Sequence, residues 1–538
     1  MTVIATPQTL GQLIQARAEC LPDKPILTFV DFERSDEVIT YGMLYTKAQK
    51  LGMFLRRHGI TSGVTFGVMM WNHPEFVYAL IAASMGGAIL VPIDPRARGA
   101  KLQHQLTHAN CRGLLVADYA LDQVRAFLPQ LPALRTIRVL RTEAEGASAP
   151  MTDYPLLNDY LAGAEVHLPH MASDAAQALE IIYTSGTTGD PKGIVIDNRR
   201  VLGFSELGRL IFGYRDDDRL YTGLSLAHGN AQAVTLMCAL GQRIEAVLTR
   251  RFTKSRLWDL TRAYGITSFS VLGGMATAIY SEPRRSNDND NPVRMIVSAG
   301  MPAAIWEAFE QRYAVRLLEW YGAVEGGFVF KPIDAGPIGS FGRLSPGLEL
   351  RVVDEHERAC PPGEVGELLF RPKGDVARVN YWQDPSASRQ KVRHGWLRSG
   401  DMVHQDEAGY LFFDCRKGEA IRRNGEFINP QDVTKVLAEH PDITDVFVYG
   451  VPARSGAPGE QDLVAAIVLI DPAQCDLSGV WDTCRRALEA NAVPSCLQVV
   501  LELPTTLSEK PQKRLLLEQF DPRGDNLLTP STDRDMAT

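Results

Sequence analysis

One short stretch constrains this chain more than any other. It is Tyr183-Thr184-Ser185-Gly186-Thr187-Thr188-Gly189-Asp190-Pro191-Lys192-Gly193, which follows the mostly apolar run Leu179-Glu180-Ile181-Ile182. The apolar run predicts a buried strand, and the glycine- and hydroxyl-rich residues after it predict a loop. Glycines let that loop wrap closely and visit positive φ. Successive backbone N–H groups then form a concavity for one anion, and Lys192 adds a full charge. The pattern differs from the common phosphate loop, G-x-x-x-x-G-K-[ST], because Pro191 and Gly193 flank the lysine. A strand that delivers a polyphosphate to its own end belongs in an α/β sheet.

The rest of the chain agrees with that expectation. Val64–Met70 reads as a strand, Glu75–Met85 as a helix and Ala88–Pro92 as the next strand, the rhythm of a mostly parallel sheet. The rhythm recurs at Gly113–Ala117, Ile181–Tyr183, Ile194–Ile196 and Met295–Ser298. From Lys331 to about Asp414 the pattern changes to Gly, Pro and short alternating strands such as Leu348–Val353 and Gly366–Phe370, which predicts a β-rich subdomain. Beyond Arg416, helices over Asp432–Glu439 and Leu477–Asn491 alternate with strands over Val446–Val451 and Leu463–Leu469, a separate α+β domain. The expected division is therefore 1–415, 416–522 and a disordered tail over 523–538, the last on its Asp, Arg, Ser, Thr and Pro content. Ser286–Asn291 reads as a solvated polar loop.

Composition narrows the class. A chain of 538 residues exceeds one ordinary core, so two or more domains are expected. A net charge of −8 without a basic run argues against nucleic-acid binding. Eight cysteines without C-x-x-C spacing suit reduced thiols rather than a disulfide frame or a zinc site. No apolar run approaches a membrane span and no basic-then-apolar leader is visible, so the expectation is a cytoplasmic protein with no integral membrane segment.

Thr184 to Gly193 resembles the phosphate loop of the adenylate-forming superfamily, which holds acyl- and aryl-CoA synthetases, luciferases and the adenylation domains of peptide synthetases. Further elements follow in the family's order. Tyr321-Gly322-Ala323-Val324-Glu325 resembles Y-G-x-T-E, and Trp396 to Asp401 resembles W-x-x-T-G-D. Arg416 to Pro430 is similar to the hinge region, and Pro504 to Lys510 to the closing P-x-T-x-x-G-K loop. The resemblance implies an α/β fold: a large N-terminal domain of parallel αβ sheets with a β-rich subdomain, and a small mobile α+β C-terminal domain.

It also implies a chemistry. A carboxylate is a poor electrophile, so it attacks the α-phosphorus of ATP, pyrophosphate leaves, and acyl-AMP is then open to a thiol. Two anions must meet, so the site must neutralise charge and align the attack. By resemblance, Thr184, Ser185, Gly186, Thr187, Thr188, Gly189 and Lys192 cradle the phosphates, and Glu325 with Thr184 holds Mg²⁺. Gly300 and Met301 lie on the adenine side, and Tyr321, Gly322 and Val324 line the nucleotide. Asp401 accepts from both ribose hydroxyls, Arg416 contacts the ribose or phosphate, and Lys510 bridges the carboxylate and α-phosphate as the adenylation lysine. Catalytic roles thus fall on Lys510, Glu325 and Lys192.

Leu226 to Gln232 contains H-x-N-A-Q, and together with Arg251-Phe252-Thr253 and Leu272 to Met275 it resembles the crotonobetaine/carnitine-CoA ligase-like branch. That implies an acyl pocket of His228, Gly273, Gly274, Met275 and Ala299, whose small apolar wall suits an aliphatic or alicyclic acid, carnitine-like and steroid-derived acids included. Gly425, Glu426 and Phe427 resemble the loop that contacts the pantetheine arm of coenzyme A. In the family the C-terminal domain swings between half-reactions, which places the hinge near Arg416–Glu419. The partners implied are a small carboxylic acid, ATP and CoA; homo-oligomerisation is left open.

Five positions depart from the pattern: Val324 for threonine, Glu509 for glycine, Gly418 for lysine, Glu419 for aspartate and Thr434 for glutamate. None deletes a charged catalytic group. Val324 and Glu509 keep open a non-catalytic nucleotide-binding paralogue, and a second alternative is an adenylating enzyme that transfers to a carrier protein or amine.

Overall fold

The computed structural model describes residues 7–32, 35–142, 153–164, 166, 168, 174–184, 191–417, 421–423, 426–428, 430–454, 461–471, 477–488, 490–505, 511–524 and 526–529. The chain divides into two compact units. One is Met1–Gly336 with Ala377–Gly395, the other Pro337–Val376 with Trp396–Thr538.

The first unit holds two sheets. In one, the strands run in the order Thr136–Leu140, Gly113–Ala117, Thr65–Met69, Ile89–Ile93, Ala178–Thr184 and Lys192–Asp197. All neighbours are parallel except the last pair, which is antiparallel. The strands on either side of the hydroxyl-rich loop thus pair antiparallel, with Thr184 directly opposite Lys192. In the other sheet, Arg316–Ala323, Met295–Ala299, Ser268–Leu272, Arg219–Thr222, Glu245–Thr249 and Pro25–Val30 are parallel neighbours in that order. Gly326–Lys331 and Glu37–Thr40 add antiparallel edges.

Both sheets turn one face to a shared core. Phe66, Val68 and Leu90 from the first and Ala246, Leu248 and Val297 from the second belong to one cluster. The helix Pro74–Gly86 lies in this core and is apolar all round, with Phe76 to Met85 buried throughout, as a helix without a solvent face must be. Strand alternation sends the intervening residues outward. Met69, Val91 and Leu114 pack with Leu102 and Leu106, while Val247, Phe269 and Ile296 pack with Trp258, Trp306 and Phe309.

Most of Ser286–Asn291 is exposed, as expected of a solvated polar loop, but Asp288 is buried and accepts from Arg312 Nε at 2.7 Å. The reason lies in Arg312 on the helix Trp306–Tyr313, which a local reading of the loop does not see.

The second unit contains an antiparallel set, Leu348–Val353, Gly366–Pro372, Trp396–Gln405, Leu411–Arg416 and Ser340–Leu344. It also contains a sheet in which Ile443–Pro452 pairs antiparallel with Gln461–Leu469, and Gln461–Leu469 parallel with Cys496–Val499. Helices Pro430–Ala438 and Leu477–Ala487 follow the expected pattern, the latter ending short of Asn491. Leu527–Leu528 pairs with Leu497 and Gln498, which corrects the expectation of disorder over those tail residues. Two adjacent leucines extend the sheet there despite the polar composition around them.

Candidate active site

The first unit's candidate residues cluster because topology aligns strand ends. Arg316–Ala323, Met295–Ala299, Ser268–Leu272 and Arg219–Thr222 are adjacent and parallel, so Tyr321, Ala299, Leu272 and the run after Thr222 emerge at one edge. Open parallel sheets bind ligands in the crevice outside their carboxyl ends.

The glycines there are fitted to close approach. Gly300 adopts φ +90°, in the region that favours glycine. A Cβ on Gly273 would stand 2.3 Å from the Gly300 carbonyl oxygen, so the two turns touch backbone to backbone. Glu319 holds the second turn, its buried carboxylate accepting from Gly300 N and, at 3.2 Å, from Met301 N. Burial pushes the Glu319 carboxyl up to about 7 against those hydrogen bonds and the charge of Lys331. Met275 and Met301 send their side chains into the outer core cluster with Phe269 and Trp306. Gly274 lies beside them in the helix Gly273–Tyr280.

His228 closes a short turn, its N–H donating to Ser225 O at 2.9 Å. Its neighbour Gly229 faces the opposite element, since a Cβ there would lie 3.4 Å from Val324 Cγ2. Val324 is half-buried and packs against the shared core, so the methyl that replaces the family's hydroxyl meets apolar groups.

Glu325 follows Val324 at the turn between two strands. Its Oε1 accepts from Tyr381 Oη at 3.0 Å, and the Tyr381 ring lies under Lys192, with Nζ 5.5 Å from the centroid. Arg200, on the helix Asn198–Leu207, donates to Ala323 O at 3.2 Å. Burial pulls the Arg200 guanidinium down, and Glu325, Asp197 and Glu180 push it back. A single carboxylate that shares its ion with substrate phosphates is a donor set that magnesium takes, so Glu325 fits that ion.

Behind the loop, Glu180 is fully buried and accepts from Gln232 Nε2 at 3.0 Å. Gln232 Nε2 also donates to Leu226 O at 2.9 Å. Glu180 Oε1 and Gln232 Oε1 have no hydrogen-bond partner among the described residues. Burial pushes the Glu180 carboxyl up to about 7, opposed by the Gln232 hydrogen bond and the Arg200 charge. The helix Gly99–His108 braces both ends of the hairpin turn. His108 Nδ1 shares a 2.7 Å hydrogen bond with Tyr183 Oη, and His104 Nε2 donates to Pro191 O at 3.1 Å.

Sequence reasoning missed Tyr381, Arg200, Glu180, His104 and His108 as neighbours of the site. Arg200 was the most findable, an arginine soon after the loop at the start of a helix. Ser185, Gly186, Thr187, Thr188 and Gly189 lie outside the described residues, as do Gly418, Glu419, Gly425, Glu509 and Lys510. Glu426 and Phe427 form part of the strand Glu426–Ile428.

In the second unit, Asp401 and Arg416 are cross-strand partners, with Arg416 Nε 3.3 Å from Asp401 Oδ1. Asp401 is buried, its N–H donating to Ser399 Oγ at 3.0 Å, and the preceding Gly400 has φ +79°. The irregularity in the strand Trp396–Gln405 at this point and the arginine together orient that carboxylate.

Residues 14–379 match the family model described as AMP-binding enzyme. The chain belongs to the AMP-binding enzyme family. Among relatives of this adenylate-forming enzyme is a sulfoacetate–CoA ligase of Cupriavidus necator, 30% identical over 95% of this chain and 97% of the relative. A crotonobetaine/carnitine–CoA ligase of Salmonella paratyphi A is 27% identical over 95% of this chain and 99% of the relative. The crystal structure of the anthranilate CoA ligase AuaEII with anthranoyl-AMP superposes with a TM-score of 0.84, covering 96% of this chain and 99% of that one at 23% identity. That likeness establishes the adenylate-forming fold. Among the described residues no helix is long and apolar enough to cross a membrane.

Proposed function

We propose that this AMP-binding enzyme is an ATP-, Mg²⁺- and CoA-dependent acid–thiol ligase that converts a carboxylic acid to acyl-AMP and then to acyl-CoA. The observation that carries the reading is the meeting of Lys192 and Glu325 on Tyr381, with Lys192 paired directly opposite Thr184 where the hydroxyl-rich loop begins and ends. A cation and a carboxylate thus share one aromatic side chain at the end of the strand pair that carries the loop, which supports a site for phosphate and metal.

On this reading the acid binds along His228, Gly273, Gly274, Met275 and Ala299. Thr184 to Lys192 cradle the β- and γ-phosphates, and Gly300, Met301, Tyr321, Gly322 and Val324 hold the adenosine. Glu325, with Thr184, holds magnesium, which when bound offsets charge on the phosphate oxygens. Asp401 accepts from the ribose hydroxyls, a role suited to a carboxylate steadied by Arg416. Lys510 supplies positive charge to the carboxylate and α-phosphate oxygens as the bond forms. Gly425, Glu426 and Phe427 then contact the pantetheine arm after the domain from residue 416 onward turns.

Related ligases carry names as unlike as sulfoacetate and carnitine, so the branch alone does not select the acid. The small apolar turns favour an aliphatic or alicyclic one. The test is pyrophosphate release with ATP and Mg²⁺ across sulfonated, trimethylammonium, medium-chain and steroid-ring acids, with and without CoA. Release that CoA accelerates for one class supports the ligase. Release indifferent to CoA points to a carrier protein or amine as acceptor. Silence with every acid, while ATP still binds, refutes the reading in favour of a non-catalytic nucleotide binder.

A further inference from the structure

We propose that Tyr381 is a positioning residue of the adenylation site, holding the Glu325 carboxylate in a fixed relation to the exit strand of the phosphate hairpin. The proposal rests on the reading of Glu325 as the magnesium-holding carboxylate and extends it to a residue outside the recognised motifs.

Three attachments meet at this one residue. Its backbone bridges Ile194 in the exit strand, with Val195 N donating to Asn380 O at 2.9 Å and Trp382 N to Gly193 O at 2.7 Å. Its ring lies under Lys192, and its hydroxyl donates to Glu325 Oε1 at 3.0 Å. Tyr381 is 6% exposed, so its side chain has little room to turn away. The residues around it are pinned as well. Tyr381 N donates to Ser388 Oγ at 2.9 Å, and Asp384 caps the helix Pro385–Lys391 through Ala387 N at 2.8 Å.

The segment Ala377–Gly395 belongs to the first unit although the chain on both sides of it belongs to the second. The chain thus returns to the first unit, and one consequence is that a phenol reaches Glu325. A phenol O–H is a hydrogen-bond donor that a carboxylate oxygen accepts.

The physical need for such a group is orientation. The terminal torsion of a glutamate is broad and nearly two-fold, so a lone carboxylate at a turn samples many planes. Magnesium demands near-octahedral oxygen positions at about 2.0–2.1 Å. A donor locked onto one oxygen sets the plane and aims the other. Groups that orient a metal's ligand typically change metal affinity about 10–100-fold when removed.

Tyr381→Phe removes only the hydroxyl, keeping the ring, the lysine contact and the backbone bridge. The experiment measures Mn²⁺ binding to the full-length enzyme by electron paramagnetic resonance, with ATP present and no acid, so that no turnover occurs. Thermal unfolding of the same samples is recorded, and Glu325→Gln is measured alongside. We expect Tyr381→Phe to weaken Mn²⁺ binding about 10-fold with an unchanged thermal midpoint. In turnover, the Mg²⁺ requirement should rise by a similar factor, with kcat at saturating Mg²⁺ near the parent value.

If Glu325→Gln weakens binding but Tyr381→Phe does not, the positioning role is overturned and the magnesium reading stands. If neither variant weakens it, the reading of Glu325 fails and this proposal falls with it. A drop in thermal midpoint that accompanies the weakened binding would also overturn it, because the hydroxyl would then serve the fold and not the carboxylate's aim.

Discussion

Glu180→Gln is the most revealing single substitution in the core behind the loop. Glu180 lies inside an apolar strand with no exposed surface, and its carboxyl is pushed from 4.5 to about 7 by burial. The folded state therefore holds the proton more tightly than the unfolded chain. That contribution to stability is complete below pH 4.5 and is lost as pH rises through about 7. At about 1.4 kcal/mol per pH unit, the loss reaches about 3 kcal/mol on the alkaline side. The geometry fits a neutral acid. Gln232 already donates to one oxygen, and a proton on Glu180 Oε1 can serve the otherwise unsatisfied Gln232 Oε1. Glutamine at 180 reproduces that pairing as an amide–amide pair without a charge to desolvate.

Urea unfolding followed by tryptophan fluorescence at pH 5 and pH 8 measures the effect as a shift in midpoint at constant m. We expect Glu180→Gln to match the parent within about 1 kcal/mol at pH 5. At pH 8 it should gain up to about 3 kcal/mol relative to the parent, the cost of ionising the parent's buried acid. Comparing the two proteins at each pH cancels the other buried acids, Glu75 and Glu319, which burial also pushes up to about 7. If the variant instead loses stability at pH 8, Glu180 is ionised and favourably paired with Arg200. The neutral-acid argument is then wrong.

Gly273→Ala drives a Cβ to 2.3 Å from the Gly300 carbonyl, so the two turns must part. We expect a loss of roughly 1–3 kcal/mol in urea unfolding and a raised KM for ATP in a pyrophosphate assay. Asp401→Asn keeps the shape but removes the charge beside Arg416, and should raise the KM for ATP about 10-fold or more, with KM for the acid unchanged. Equal KM values for ATP in the two proteins would remove Asp401 from the ribose site. Lys510→Ala should slow acyl-AMP formation about 10²–10³-fold while sparing thioester formation from supplied acyl-AMP, and parallel losses in both halves would contradict the assignment. Gly418→Pro should do the reverse, slowing the thioester step more than adenylation if the hinge lies there.

Much of the fold was legible because it is written in local pattern. Thr65–Met69, Pro74–Gly86 and Ile89–Ile93 stand within a few residues of the elements expected from periodicity alone. The strand–helix–strand rhythm also implied parallel pairing, and the motifs at Tyr183–Gly193 and Tyr321–Glu325 stood at strand ends, where parallel sheets present their residues. Reading Ile194–Ile196 as one more beat of that rhythm missed that its strand turns back antiparallel on Ala178–Thr184. A strand's direction depends on the connection before it, and here a short loop allows only a hairpin.

What sequence determined by itself, then, is the chemistry-bearing loop, the order of the elements and the family they indicate, because each is encoded by residues adjacent in the chain. What only tertiary structure decided is which distant side chains complete the site. Tyr381 reaches Glu325 from a segment whose flanks belong to the other unit, Arg312 takes Asp288 out of solvent, and Gln232 meets Glu180 across the core. Periodicity records which face a residue turns, whereas its partner across that face is set by packing between elements far apart in sequence.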